Sequence, residues 1–169
     1  MTILRRENVA RPLSRILALY CADTAPALRY STLARPERRR TIFALAQLFA
    51  LIAALLHVVI FVLESLIFTR PASYQRFGIT SQQDAETIRP MAYNQGFYNL
   101  FLAIGIGIGI VLVHRDGDGR IAGLALVVFA CASMCLAATV LITTGRRYLR
   151  AALTQGTAPL LALIFIALS

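Results

Sequence analysis

Two side chains capable of acid–base chemistry lie in the longest apolar run of the chain. Residues 41–68 carry one histidine, His57, and one full charge, Glu64. Seven positions apart in a helix, they share a face but are offset by roughly 10 Å along the axis. They could meet at a shared ligand or a chain of waters, but not in direct contact. A purely structural interpretation has His57 bonded to a neighbouring helix and Glu64 paired with an arginine at headgroup level.

A second polar motif, Asn-Gln-Gly-Phe-Tyr-Asn, occupies residues 94–99. On a helix, Asn94 and Tyr98 share one face, and Gln95 and Asn99 share another. Amide and phenol groups in apolar surroundings need hydrogen-bond partners, either on another helix or in water. The motif therefore predicts either an interhelical hydrogen-bond clamp or part of a ligand-binding site.

Other motifs give no sign of a metal, nucleotide, haem or flavin. Cys131 and Cys135 share a helix face, but no histidine or acid accompanies them in that segment, so they are interpreted as small packing residues. Gly105, Gly107 and Gly109 lack the G-x-G-x-x-G spacing of a dinucleotide site. Gly105 and Gly109 instead form a small-residue face that another helix can approach closely. We therefore expect neither a metal nor a cofactor.

Four long apolar segments must position these side chains. The first, as a helix, would be about 42 Å long, more than the roughly 30 Å of a bilayer's hydrocarbon core. The composition agrees, with 58% hydrophobic residues and a mean hydropathy of +0.69. Gln155, Gly156 and Pro159 interrupt the fourth segment. The sequence predicts an all-α, polytopic membrane protein, a four-helix bundle with transmembrane spans at about 41–68, 95–114, 121–144 and 151–169.

The loop between the first two spans, residues 69–93, is the longest of the three. Pro71 and Pro90 punctuate it, and both favour a break in helical structure. Between them, SQQDAET is expected to form a short helix capped by Thr80 or Ser81.

Residues 1–40 precede the membrane domain, residues 41–169, as an arginine-rich extension. They contain nine of the 17 arginines, and the chain has no lysine. Within residues 13–20 the apolar positions follow helical spacing, which favours an amphipathic helix on a membrane surface. An organellar transit peptide, a misassigned start codon and a weakly ordered cytosolic extension are the alternatives, and the last is preferred. Because the arginines flank apolar runs, they indicate topology and anionic-lipid contacts, and nucleic-acid binding is not expected.

The arginine distribution also predicts orientation. A basic cluster at residues 35–40 ends where the first span begins, so the positive-inside rule places the N-terminus in the cytoplasm. Four spans then bring both termini inside, in a multi-pass protein of the bacterial inner (plasma) membrane. Arg146, Arg147 and Arg150 in the third loop would face outward, against the rule.

This topology gathers the dispersed polar residues on one side of the membrane. The first and third spans end there, and the second and fourth begin there. We expect one outward-facing polar layer with His57 beneath it. Its ligand-binding candidates, besides His57, are Glu64, Asn94, Gln95, Tyr98, Asn99 and Gln155, with Thr143 and Thr144 nearby.

These polar residues belong to sequence motifs that resemble those of a known family. Four motifs follow in order: His57-x-x-x-Phe61-x-x-Glu64, Phe77-Gly78, Asn94-Gln95-Gly96-x-Tyr98-Asn99-x-Phe101-Leu102-Ala103 and Gln155-Gly156-x-x-Pro159. From about residue 41 onward, the chain resembles the small bacterial membrane proteins of the domain-of-unknown-function 1304 family. It departs from them at Ser65 and Phe68, where the family often has Met and Trp. The resemblance implies a four-helix integral membrane protein and supplies no reaction.

Three functions follow as hypotheses. The leading one is a bundle that binds or passes a small amphipathic molecule through the polar layer. The second is a structural or assembly subunit, in which the polar groups only join helices. The third is a membrane-embedded enzyme with His57 and Glu64 as acid and base on a lipid-like substrate. Membrane lipid is the expected partner in every case, and the sequence leaves open whether the chain is an enzyme or a homo-oligomer.

Overall fold

The computed structural model describes the backbone of residues 10–169 and the side chains of residues 36–169. It divides into two units, Met1–Thr41 and Ile42–Ser169. In the first unit the backbone is helical from Ala10, and the side chains of residues 36–41 are exposed. The amphipathic face predicted at residues 13–20 lies outside the described side chains.

The described elements are helical throughout. Helix α1 (Ala10–Phe61) continues into a π turn (Val62–Leu66), and α2 (Pro71–Tyr74) into a 3-10 turn (Gln75–Phe77). Helix α3 (Gln82–Leu112) precedes α4 (Asp118–Thr144), a 3-10 turn (Arg146–Tyr148) and α5 (Leu149–Leu168). Among the described residues, four helical segments are long and apolar enough to cross a membrane, which confirms the predicted all-α, four-span architecture: Pro36–Leu66, Gln82–Leu112, Asp118–Thr144 and Arg146–Leu168.

Helix α3 begins much earlier than the predicted second span. The SQQDAET stretch is not a separate helix but forms the first turns of α3. Ser81 is its N-cap and accepts a hydrogen bond from the amide of Asp84 at 3.0 Å. Pro90 lies inside the helix without ending it, so the proline did not mark a boundary.

Side-chain contacts order the membrane helices as an antiparallel ring. Asn99 of α3 contacts Glu64 just after the end of α1, and His114, just after the end of α3, contacts Gln47 further back along α1. Helix α5 closes the ring, since its Phe165 stacks on Phe49 of α1 with ring centroids 5.5 Å apart. The bundle therefore runs up and down in sequence order.

Small residues fill the contacts inside the bundle. Ala46, Ala50, Ala53 and His57 form one buried stripe on α1 at helical spacing. Many large apolar side chains point outward, such as Phe129, which is 69% exposed, although Ile106 and Met134 are fully buried. Buried small residues and exposed large ones are typical of helices that pack closely in lipid.

Two glycines allow α3 and α4 to approach each other closely. A Cβ added to Gly109 would meet the Gly123 carbonyl at 2.9 Å, and one added to Gly123 would meet the Gly109 carbonyl at 2.8 Å. Gly105, the other half of the predicted small-residue face, has open space around it. Only Gly109 of that pair serves helix contact, and its partner Gly123 was not predicted.

Candidate functional site

The end of α1 is a π turn rather than a regular α-helical turn. Its hydrogen bond spans five residues, from the Ile67 amide to the Val62 carbonyl at 3.1 Å. Such wide turns occur mostly as single insertions in helices and are frequent at functional sites. This one carries Glu64 and Ser65, and both lie against α3. We call the contact among Glu64, Ser65, Gly96 and Asn99 the Glu64 junction.

Gly96 allows this close approach. A Cβ at that position would collide with Ser65 Oγ and would lie 3.1 Å from Glu64 Cβ and 3.2 Å from the Phe61 carbonyl oxygen. The glycine between Gln95 and Phe97 is therefore required by packing, because any side chain would push the π turn away from α3.

Asn99 provides the polar contact of the junction. Its side-chain nitrogen donates to Glu64 Oε2 at 3.0 Å and to the Gln95 carbonyl at 3.1 Å. Asn99 is buried, whereas Glu64 is half-buried. No arginine within residues 36–169 forms an ion pair with Glu64, so an amide takes the place of the headgroup-level arginine considered above.

The two oxygens of the Glu64 carboxylate differ in their hydrogen bonding. Glu64 Oε1 accepts no hydrogen bond from the described residues. In the same part of the chain, no fully buried side-chain nitrogen or oxygen lacks a partner, so Oε1 is not enclosed. Oε1 can therefore accept a further hydrogen bond while Asn99 keeps its bond to Oε2.

Two serines fasten the π turn to its surroundings. Ser65 Oγ donates to the Tyr93 carbonyl at 2.8 Å, and the buried Ser73 Oγ donates to the Leu63 carbonyl at 2.9 Å. Because α1 ends here, the Leu63 carbonyl lacks an ordinary helical donor, and Ser73 supplies one. Sequence reasoning did not assign a role to either serine, since an isolated serine at the end of an apolar run or in a loop carries no distinctive signal.

An aromatic cluster flanks the junction. The rings of Phe61 and Phe97 meet edge to face with centroids 5.1 Å apart, across the same helix pair as Glu64 and Asn99. Tyr93 lies 5.0 Å from Phe97, and Phe101 lies 6.1 Å from it. Tyr93 and Phe101 are 51% and 58% exposed, so the cluster faces outward from the bundle. Sequence reasoning had not grouped these rings.

Comparison with known proteins gives one match. Residues 51–167, well over half of the chain, match the family model described as Protein of unknown function (DUF1304). The chain belongs to this family. No curated protein and no solved structure matches it. The matched range contains the whole Glu64 junction and the aromatic cluster, so both lie in the DUF1304 part of the chain.

The residues predicted to form the polar layer of this DUF1304 member differ in burial and in contacts. Of the candidates on α3, only Asn99 reaches Glu64, while Asn94, Gln95 and Tyr98 have exposed side chains. Their assignment to ligand binding stays a prediction. Gln155 is half-buried on α5. Thr143 and Thr144 each donate to a carbonyl of their own helix.

His57 lies deeper in the DUF1304 bundle and is 2% exposed. Its Nδ1 is 2.9 Å from the Ala53 carbonyl oxygen. Since a carbonyl only accepts, Nδ1 carries the proton of this bond, and in the neutral ring Nε2 keeps a lone pair. No described hydrogen bond joins His57 to Glu64, so the structure does not bring them together as an acid–base pair.

The opposite end of the α1–α3 contact has a different composition. His114 Nε2 lies 3.1 Å from Gln47 Oε1 at an exposed position. Phe43, Gln47 and Ile110 help to line a small, open recess. The Arg120 guanidinium lies 5.8 Å from the centroid of the Phe43 ring. Within the described residues, neither end has a group of three metal-ligating side chains.

Proposed function

We propose that this protein binds, or passes across a membrane, a small amphipathic molecule whose polar head is held by Glu64 and Asn99. The observation that carries the proposal is the 3.0 Å contact from Asn99 Nδ2 to Glu64 Oε2. This hydrogen bond occupies Glu64 Oε2, and it leaves Oε1 without a described partner and not fully buried. A molecule with a polar donor and an apolar body would meet both the junction and the outward-facing rings.

The cost of the carboxylate supports a binding role. An ionisable side chain in an apolar span is expensive, and it usually faces a bundle interior or a water-filled space. Glu64 belongs to the span Pro36–Leu66 and has a single described hydrogen-bond donor. A ligand that donates to Oε1 would offset part of the remaining cost.

The orientation proposed from the arginines indicates the side of the membrane from which a ligand would reach the junction. With the N-terminus in the cytoplasm of a bacterial cell, the end of α1 lies toward the outer face of the plasma membrane. The Glu64 junction would then receive its ligand from the outer leaflet or from outside the cell.

Native mass spectrometry of the purified protein tests the proposal. We expect a co-purifying small molecule that is retained by the wild type and lost from both Glu64→Gln and Asn99→Ala. Glu86→Gln is the matched control, because Glu86 is an exposed acid of α3 that lies 3.8 Å from Arg89. Retention of the same molecule in both junction variants would contradict the proposal. The same spectra report whether the protein is a homo-oligomer.

A structural role is the second candidate, and a specific observation favours it. Besides the Asn99 contact, the junction is held by serine bonds to the backbone carbonyls of Tyr93 and Leu63, as a helix clamp would be. A clamp alone predicts that Glu64→Gln and Asn99→Ala lower the melting temperature without changing any bound molecule.

A further inference from the structure

We infer that the ligand of the Glu64 junction is an organic cation with an apolar, preferably aromatic, body. This inference rests on the proposed function and adds the chemical class of the bound molecule. It combines three observations: the charge at the end of α1, the spare carboxylate oxygen and the adjoining rings.

The end of α1 carries excess negative character. The last carbonyls of a helix point outward from its C-terminus and are equivalent to roughly half a negative charge. Glu64 adds a carboxylate within this final turn, where a cationic side chain would be the stabilising choice. The described residues give Glu64 no such partner, whereas Glu86 of α3 has Arg89 at 3.8 Å. A cationic ligand would supply the missing charge.

The spare oxygen fits a nitrogen donor. Asn99 fixes Oε2, so Oε1 is held in place by the same carboxylate plane and stays accessible. A protonated amine can donate directly to it, and a quaternary ammonium can rest against it through charge alone. Anions are disfavoured here by both the carboxylate and the helix end.

The aromatic cluster provides the second half of cation recognition. Cations bind the faces of aromatic rings, and this attraction is stronger where the pair is desolvated. Phe61 is the last residue of α1, directly before the π turn that carries Glu64, and Phe97 directly follows Gly96 of the junction. Tyr93 and Phe101 extend the cluster outward, so an apolar body could lie along them while its charge reaches Glu64.

A pair of probes with matched shape and opposite charge tests the inference. Tetraphenylphosphonium and tetraphenylborate are added separately to the full chain in lipid nanodiscs, and binding is compared with that of empty nanodiscs. We expect specific binding of the phosphonium only. Glu64→Gln should weaken this binding at least tenfold, whereas the control Glu86→Gln should bind like the wild type.

A second variant keeps the charge of Glu64 and removes one aromatic ring of the cluster. Phe97→Leu is expected to weaken phosphonium binding by roughly three- to tenfold through loss of the cation–π contribution. It remains informative if Glu64→Gln does not fold, which far-UV circular dichroism and gel filtration would reveal. Unchanged phosphonium binding in a folded Glu64→Gln or in Phe97→Leu would overturn the inference, as would specific binding of the borate.

The two proposals can fail separately. If native mass spectrometry finds a Glu64-dependent molecule but the phosphonium does not bind, the binding function stands and the cation class is wrong. If neither experiment gives a Glu64-dependent result, both proposals are wrong.

Discussion

Two hydrogen bonds between side chains join the first membrane span to α3 and the residues directly after it, and they use similar groups in different surroundings. At one end Glu64 pairs with Asn99, and at the other His114 pairs with Gln47. Each contact joins an ionisable side chain to an amide at about 3 Å. The Glu64 contact is partly buried, whereas the Gln47 contact is exposed.

The difference lies in what surrounds each pair. Around Glu64, a π turn, a glycine and two serines fix the backbone closely against α3. Around Gln47, there is an open recess with Arg120 above the Phe43 ring. Gln47 also lies outside the residues that match the family, while Glu64 and Asn99 lie inside them. The hydrogen bond alone therefore does not distinguish the two ends, whereas the shaped backbone and the burial around it do.

The largest expected effect concerns the backbone of the Glu64 junction. Gly96→Ala should lower the free energy of unfolding by about 1 to 3 kcal/mol, because the new methyl meets Ser65, Glu64 and the Phe61 carbonyl. Gly107→Ala is the matched control on the same helix, with nothing within 4 Å of the added Cβ. It should be neutral or stabilising by up to about 1 kcal/mol.

These values can be measured by unfolding in mixed detergent micelles with increasing dodecyl sulfate. Far-UV circular dichroism is the suitable signal, since the chain has no tryptophan. Equal effects of Gly96→Ala and Gly107→Ala would show that the junction can relax, and would remove the structural distinction between the two ends.

A smaller effect is expected from the amide of the junction. Asn99→Ala should cost about 1 to 2 kcal/mol, because it leaves the half-buried Glu64 carboxylate without its described donor. Asn94→Ala, one turn earlier and exposed, should change stability by no more than about 0.5 kcal/mol. The same unfolding assay measures both. If Asn94→Ala lowers the free energy of unfolding as much as Asn99→Ala does, the whole polar motif contributes to a broader layer, as the sequence predicts.

The fold was largely predictable from hydropathy, because long apolar runs in a bilayer have few alternatives to helices. The early start of α3 was not predictable from hydropathy. Its first turns are polar and have no apolar period, and Pro90 indicated a break that the helix does not make. The Ser81 cap was among the predicted possibilities and is the one observed.

The site was predictable only in part. Topology brought Glu64 and Asn99 to one side of the bundle, and their contact agrees with it. The i,i+4 pairing of the motif did not reveal which face points inward. The inward face of α3 follows Ala92, Gly96, Asn99 and Ala103, so the neighbouring polar residues point away. The π turn was also unforeseen, since it depends on tertiary contacts rather than on a sequence pattern.

The smallest expected effect concerns the contact between Gln47 and His114. It measures how much a hydrogen bond contributes to stability where no buried, closely packed backbone surrounds it. A double-mutant cycle of Gln47→Ala and His114→Ala should give a coupling energy near or below about 0.6 kcal/mol, as is usual for hydrogen bonds between membrane helices. Exposure lets water replace either partner, so little is lost when one side chain is removed. The corresponding cycle of Glu64→Ala and Asn99→Ala should give at least twice that coupling, because neither group is fully hydrated. If the Gln47 cycle gives the larger coupling, burial and backbone shape do not distinguish the two ends, and the recess beside Gln47 becomes the better candidate for a site.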